Sequence, residues 1–166
     1  MRYGQIRKYD VANGPGIRVS VFVTGCPIKC FGCFNEEYQS EESGLEWTKK
    51  QEDLVLNYLS LKQVSGLSIL GGEPLKQDEN LLHLLKRVKK EIKDVYRKDV
   101  WLWSGFCYEE LDFKQREVLE YVDVLVDGPF IFKEKDLNLK FCGSKNQRVI
   151  DLNKTRAQNK IVLWKE

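Results

Sequence analysis

Ile17-Arg18-Val19-Ser20-Val21-Phe22-Val23-Thr24 runs without a break into Gly25-Cys26-Pro27-Ile28-Lys29-Cys30-Phe31-Gly32-Cys33. The first eight residues are rich in β-branched side chains and alternate enough to predict a strand. That strand delivers a loop whose cysteines are spaced Cys-x-x-x-Cys-x-x-Cys. The spacing lets three thiolates converge on one iron–sulfur cube and leaves one corner without a protein ligand. The alternative is a zinc site, which wants four ligands, commonly in two Cys-x-x-Cys pairs or with histidines. Only Cys107, Cys142 and His83 remain as fourth ligands, and none sits in a paired motif. Five cysteines is an odd number for a disulfide framework. The chain also opens without a signal-peptide pattern, so the expected setting is a reducing cytoplasm.

The chain of 166 residues predicts one domain over residues 1–166 with one continuous core. Hydrophobic residues at 42% and charged residues at 31% describe an ordinary globular protein, and no apolar run approaches the length that crosses a bilayer. The formal charge of +2 gives no warrant for nucleic-acid binding, which shows a concentrated basic surface. Neither nucleic acid nor membrane is expected as a partner.

Outward from the cysteine loop, Met1 to Asp10 predicts a short edge strand, followed by a turn over Asn13 to Gly16 that reads by itself as an ordinary β-turn. Thr48-Lys49-Lys50-Gln51 reads as a capping box opening a helix through about Leu61, with Leu54, Val55, Tyr58 and Leu59 on its apolar face. Gly66 to Leu70 suits a buried strand and ends in Gly71-Gly72-Glu73-Pro74, where two glycines leave backbone groups open to a ligand. Asp78 to Lys98 predicts an amphipathic helix carrying Leu81, Leu84, Leu85, Val88, Ile92 and Val95, and His83 on it is assigned no role. Asp99 to Phe106 is the next strand and turn; Trp101 and Trp103 fit plain core, and Cys107 fits an inert buried thiol. Glu109 to Tyr121 predicts a helix, and Val122 to Phe130 a strand ending in a turn that Asp127, before a glycine, suits as a turn former. Gly143 to Asp151 reads as a loop and a short strand, in which Asn146 and Arg148 suit a carboxylate or a partner chain. Lys160 to Lys165 predicts a terminal edge strand. The alternation of strands and helices gives an α/β fold with a mostly parallel sheet.

The cysteine spacing in such a chain resembles the radical S-adenosylmethionine superfamily. Asn13-Gly14-Pro15-Gly16-Ile17-Arg18, Gly25-Cys26-Pro27 and Gly32-Cys33-Phe34-Asn35 are similar to its branch of anaerobic ribonucleotide reductase activases. So are Trp103-Ser104-Gly105-Phe106, Asp123 to Phe130 and Gly143 to Arg148. The superfamily often carries an aromatic residue just before the third cysteine, where this chain has Gly32 between Phe31 and Phe34; this departure fits the activase branch. The matching elements run from about Gly4 to Asp151.

The resemblance implies a small, incomplete (β/α) barrel with a curved sheet and a ligand at the carboxyl ends of the strands. It implies a 4Fe-4S cluster on Cys26, Cys30 and Cys33, and S-adenosyl-L-methionine held by Gly32, Cys33, Phe34, Gly71, Gly72, Glu73, Pro74, Ser104, Gly105 and Asp127. It also brings the Asn13–Gly16 turn to the mouth of the site. The implied activity is reductive cleavage of S-adenosylmethionine to methionine and a 5′-deoxyadenosyl radical, which abstracts hydrogen from a glycine of anaerobic ribonucleoside-triphosphate reductase. No general acid or base is needed, and an electron-donor protein such as flavodoxin is implied. The alternatives are another radical enzyme, such as an activase of pyruvate formate-lyase or a small-molecule modifier, and a non-catalytic zinc-binding module.

Overall fold

The computed structural model describes residues 1–165 and, of Asp78, the backbone alone. Strand β1 (Arg2–Asp10) lies antiparallel to β2 (Arg18–Val23), pairing Ile6 with Val21. The two-residue β3 (Leu45–Glu46) takes the edge beside β1. The amino-terminal segment is thus a nine-residue strand inside the sheet, where a short edge strand was expected. Strands β4 (Gly66–Gly71), β5 (Asp99–Trp103) and β6 (Val124–Asp127) continue parallel to β2, and β7 (Arg148–Asp151) returns antiparallel. The result is one open, mixed, mostly parallel sheet in the order β3-β1-β2-β4-β5-β6-β7.

Helices make the crossovers between parallel strands, as strands that run the same way require. They are α1 (Lys49–Leu59), α2 (Asp78–Val88) and α4 (Phe113–Leu119). The Thr48–Gln51 capping box opens α1 where expected, but its buried face is Glu52, Val55, Leu56 and Leu59, while Leu54 points outward. Past Val88 the backbone widens into one π-turn, Lys89–Lys93, before the single turn α3 (Asp94–Tyr96). A wider turn rotates the succeeding residues about the helix axis. Ile92 therefore stays buried, and Val95, expected on the same stripe, is 67% exposed. The helix expected from Glu109 begins only at Phe113, because Asp112 and Gln115 form a capping box there. After β7, Asp151 caps a helix that was not expected from the sequence, α5 (Leu152–Gln158). The expected terminal strand reduces to one bridge, Ile150 to Leu163, beside β7.

Alternation along the strands separates two packing environments. Val19, Val21, Val23, Leu67, Ile69, Leu102 and Leu125 pack with the apolar faces of α1, α2 and α4 in the main core. On the opposite face Trp101, Val124 and Val126 form a second cluster with Trp103, Phe141, Val149 and Trp164. Arg18 is fully buried at the amino end of β2. Its guanidinium is held by Ser68 Oγ at 2.7 Å, the Leu67 carbonyl at 2.8 Å and Asp99 Oδ1 at 2.8 Å. Desolvation lowers its pKa and the Asp99 carboxylate offsets part of that shift. Among the described residues no helix is long and apolar enough to cross a membrane.

Candidate functional site

At the carboxyl end of β2 the chain turns out of the sheet through Gly25, whose φ of +88° favours glycine. The Gly25 N–H donates to the Tyr38 carbonyl at 2.9 Å, and the Cys26 N–H to that of Gln39 at 2.9 Å, so the loop's first end is pinned to residues 38–39. Its second end packs on the far part of the chain. Gly32 has φ +68°, and a Cβ there would come 2.5 Å from the Phe132 ring. The same ring meets Phe31 edge-on at 5.3 Å, and Phe34 meets Phe130 at 5.0 Å. This explains the glycine before the third cysteine: the aromatic contact comes from Phe132, and the backbone angle excludes a side chain.

Cys26, Cys30 and Cys33 are half-buried and line a single cavity of about 600 Å³. The Cys33 Sγ accepts the Asn35 N–H at 3.4 Å. Burial pushes the Cys30 thiol up, the neighbouring Cys33 and Cys26 add to that, and the Phe130 N–H opposes it. Among the described residues, no three Cys, His, Asp or Glu side chains are placed to share a single metal ion. An iron–sulfur cube instead takes its thiolates on separate irons, and a set of three soft sulfur donors is what such a cluster uses.

The strand ends supply the adjoining walls. Gly71 has φ +111°, and a Cβ on Gly72 would come 2.6 Å from the Gly25 carbonyl oxygen and 2.8 Å from that of Tyr38. The β4 turn is therefore pressed against the root of the cysteine loop, and the Glu73 N–H donates to the Gly25 carbonyl at 2.9 Å. The Glu73 side chain is fully buried and receives three hydrogen bonds. Leu75 N–H and Ser104 Oγ–H donate to Oε1, each at 2.9 Å, and Gly105 N–H donates to Oε2 at 2.8 Å. Desolvation still dominates and raises its pKa to about 7, with the three donors pulling the other way. Glu73 is thus a positioning residue that ties the glycine turn after β4 to Ser104-Gly105 after β5.

Of the residues expected to hold the cofactor, Cys33, Phe34, Gly71, Gly72, Glu73, Ser104 and Gly105 line the cavity, while Gly32 lies in the loop that borders it. Pro74 is buried at the start of a single 3₁₀ turn, Pro74–Lys76, behind the lining. Asp127 alternates with Val126 of the second cluster and shares its face with Leu125 of the main core. Its carboxylate receives Arg148 Nε at 3.0 Å and the Tyr108 N–H at 2.9 Å. Arg148 also forks onto Glu109 at 2.9 and 2.8 Å, holding that carboxyl down at about 2. The Asp127–Arg148–Glu109 group is therefore a clamp between β7 and the loop after β5, and Asn146 is occupied by the Pro129 carbonyl at 2.7 Å.

The Gly14-Pro15-Gly16 turn, placed by resemblance at the mouth, sits at the amino end of β2, opposite the cysteine loop. Asn13 nonetheless lines the cavity from there, and its carbonyl accepts Ser68 Oγ–H at 2.6 Å. His83 lies outside the cavity and meets the buried Glu52 at 3.0 Å. Cys107 is half-buried. Cys142 joins the cavity wall, with its thiol pushed up to about 11 by burial. Trp103, Gly128, Phe130 and Gln147 also line the cavity and were not in the expected set. Strand alternation, for Trp103, and the turn after β6, for Gly128 and Phe130, are the signals from which they could have been found.

A thiol loop at a strand end, beside glycine turns on one open α/β sheet, is an arrangement that suits an iron–sulfur domain. Residues 12–150 match the family described as "4Fe-4S single cluster domain". The chain is 43% identical over 152 residues to the anaerobic ribonucleoside-triphosphate reductase-activating protein of Vibrio cholerae, a match spanning 89% of this chain and 96% of that one. The protein of the same name in Escherichia coli K12 is 38% identical over 151 residues, spanning 90% and 97%. That of Enterobacteria phage T4 is 40% identical over 153 residues, spanning 90% and 93%. This chain belongs to the family of anaerobic ribonucleoside-triphosphate reductase-activating proteins.

Proposed function

We propose that Cys26, Cys30 and Cys33 hold a 4Fe-4S cluster, that S-adenosylmethionine lies in the adjoining cavity, and that the chain generates a glycyl radical on anaerobic ribonucleoside-triphosphate reductase. The observation that carries this reading is the convergence of the three thiols and the Glu73-braced turns, Gly71-Gly72 and Ser104-Gly105, on one cavity. When bound, the cluster and its cofactor supply the electron transfer and carbon–sulfur cleavage that yield methionine and a 5′-deoxyadenosyl radical. The protein's own work is to bind, orient and exclude water. Gly72, having no side chain, brings backbone polar groups to the ligand. Gly105 does the same after β5, and Phe22, Leu70 and Trp103 wall the cavity with apolar surface. The open sheet then corresponds to the incomplete, curved barrel of the superfamily. The electron comes from a partner such as flavodoxin in the cytoplasm.

The test is anaerobic. The protein is reconstituted with iron and sulfide, reduced, and mixed with S-adenosylmethionine and the candidate reductase. Expected are 5′-deoxyadenosine and a glycyl-radical signal by electron paramagnetic resonance. Cofactor cleavage without a radical on the reductase would discard the partner and keep the superfamily; a colourless protein that takes up no iron would favour the zinc-binding module.

A further inference from the structure

The rim of the cavity is chemically divided. The first end of the cysteine loop is bound to residues 38–39, within a segment where Glu36, Glu37 and Glu42 are exposed. The second end packs on residues 130–143, and there the surface is apolar and carries Lys133 and Lys135, with Glu134 between them and Asp136 paired to Lys145. Phe31 is 81% exposed, and its ring meets that of Phe132, itself 50% exposed, at 5.3 Å. Leu137 is 79% exposed. Lys29 and Lys133 are exposed, near Phe31 and Phe132 in the chain, and the Lys135 ammonium sits 4.9 Å from the centre of the Phe34 ring.

Aromatic side chains this exposed and this close together mark a contact surface, because burying them releases more free energy than any isolated surface residue offers. The patch is continuous with the cavity, since Phe34, Phe130 and Leu137 line it. Any macromolecule that delivers an atom to the cavity must cover this rim. We infer that Phe31, Phe132 and Leu137, bordered by Lys29, Lys133 and Lys135, are the surface on which the reductase docks, through an apolar patch edged with carboxylates, while the acidic bank at Glu36, Glu37 and Glu42 fixes a single orientation. The inference rests on the function proposed above and adds where, and by what chemistry, the partner is held. A second copy of this chain is the poorer fit. A two-fold contact through the Phe31–Phe132 pair would set each lysine cluster against its own image, and like charges in apposition are repelled.

The experiment uses the reconstituted protein and the purified reductase, with dithionite as reductant so that no electron-donor protein is present. Lys133→Glu, outside the cysteine loop, is compared with wild type by the dissociation constant for the reductase at two salt concentrations and by glycyl-radical yield. Partner-free cleavage of S-adenosylmethionine is measured alongside. Expected are binding at least tenfold weaker, a shallower salt dependence and cofactor cleavage within twofold of wild type. Phe31→Ser is expected to weaken binding comparably with little change in salt dependence, its iron content reporting separately on the loop. Unchanged affinity in the charge-reversed variant overturns the inference. So does a wild-type dimer that the variants split. If wild type itself cleaves no cofactor, the proposed function fails, and that result is distinct from a docking defect.

Discussion

On the helix-covered face, β2, β4, β5 and β6 present Val19, Val21, Val23, Leu67, Ile69, Leu102 and Leu125, all aliphatic and closed from solvent. On the other face the same strands present Arg18, Ser68, Phe22, Leu70, Trp101 and Trp103, and Phe22, Leu70 and Trp103 of these line the cavity. The first face is held by volume, the second by named partners. Substitutions on the first should therefore move stability in graded steps, and substitutions on the second and at the strand ends should move ligand chemistry.

The strongest way to test that division is Cys30→Ala. It removes one of the three thiols, and iron content and activation are expected to fall to background while the chain keeps its fold, read by circular dichroism and iron analysis. Leu102→Ala is the mirror experiment. A fully buried leucine under the helices is expected to cost about 2–5 kcal/mol in urea unfolding, yet the folded fraction should still load iron normally. If loading fell in the folded protein, the two faces would be coupled after all.

Glu73→Gln sharpens the comparison, because this residue is buried like the core and bonded like the site. The amide turns one accepting oxygen into a donor facing N–H or O–H groups, so the bond to Gly105, Ser104 or Leu75 is lost. S-adenosylmethionine affinity is expected to weaken about tenfold, as the loss of roughly one such bond implies. The pH dependence gives an independent reading. The folded pKa, about 7, lies above the ordinary carboxylate value of 4.5, so the folded chain holds this proton more tightly than the unfolded one. The contribution is fully present below about pH 4.5 and is lost as pH rises through about 7, with a size on the order of 3 kcal/mol. Denaturant unfolding of wild type should show that decline, and Glu73→Gln should lack it. The smallest effect belongs to Asp112→Ala, which removes the α4 cap: about 1 kcal/mol of stability, with iron loading and cofactor affinity unchanged.

The sequence showed the site where chemistry is local. The cysteine spacing, the paired glycines after β4 and Ser104-Gly105 after β5 are short motifs, and all three meet at the cavity. It did not show that Glu73 also holds Ser104 and Gly105, since those bonds join separate βα units and leave no mark within either motif. The placement of Asp127 was hidden for a different reason. It ends its strand beside a glycine, as the other site residues do, but strand alternation sends its side chain to the face of Leu125, where Arg148 meets it. The helices were legible from caps and periodicity, except that the Asp112 capping box delays α4 to Phe113, that one π-turn after Val88 turned Val95 outward, and that the short, mostly polar α5 offered Asp151 as its one strong signal.

Phe34 and Gly32 near the start of the chain are covered by Phe130, Phe132 and Gly143 near its end. During synthesis the amino-terminal part emerges first, so the three thiols are made long before the residues that shelter them. A ribosome-bound or truncated chain ending before residue 130 carries an uncovered cysteine loop, open to oxygen and to stray metal. Completion of the polypeptide is thus itself a protective step for the loop, and on the function proposed above cluster delivery is best timed to follow release of the finished chain.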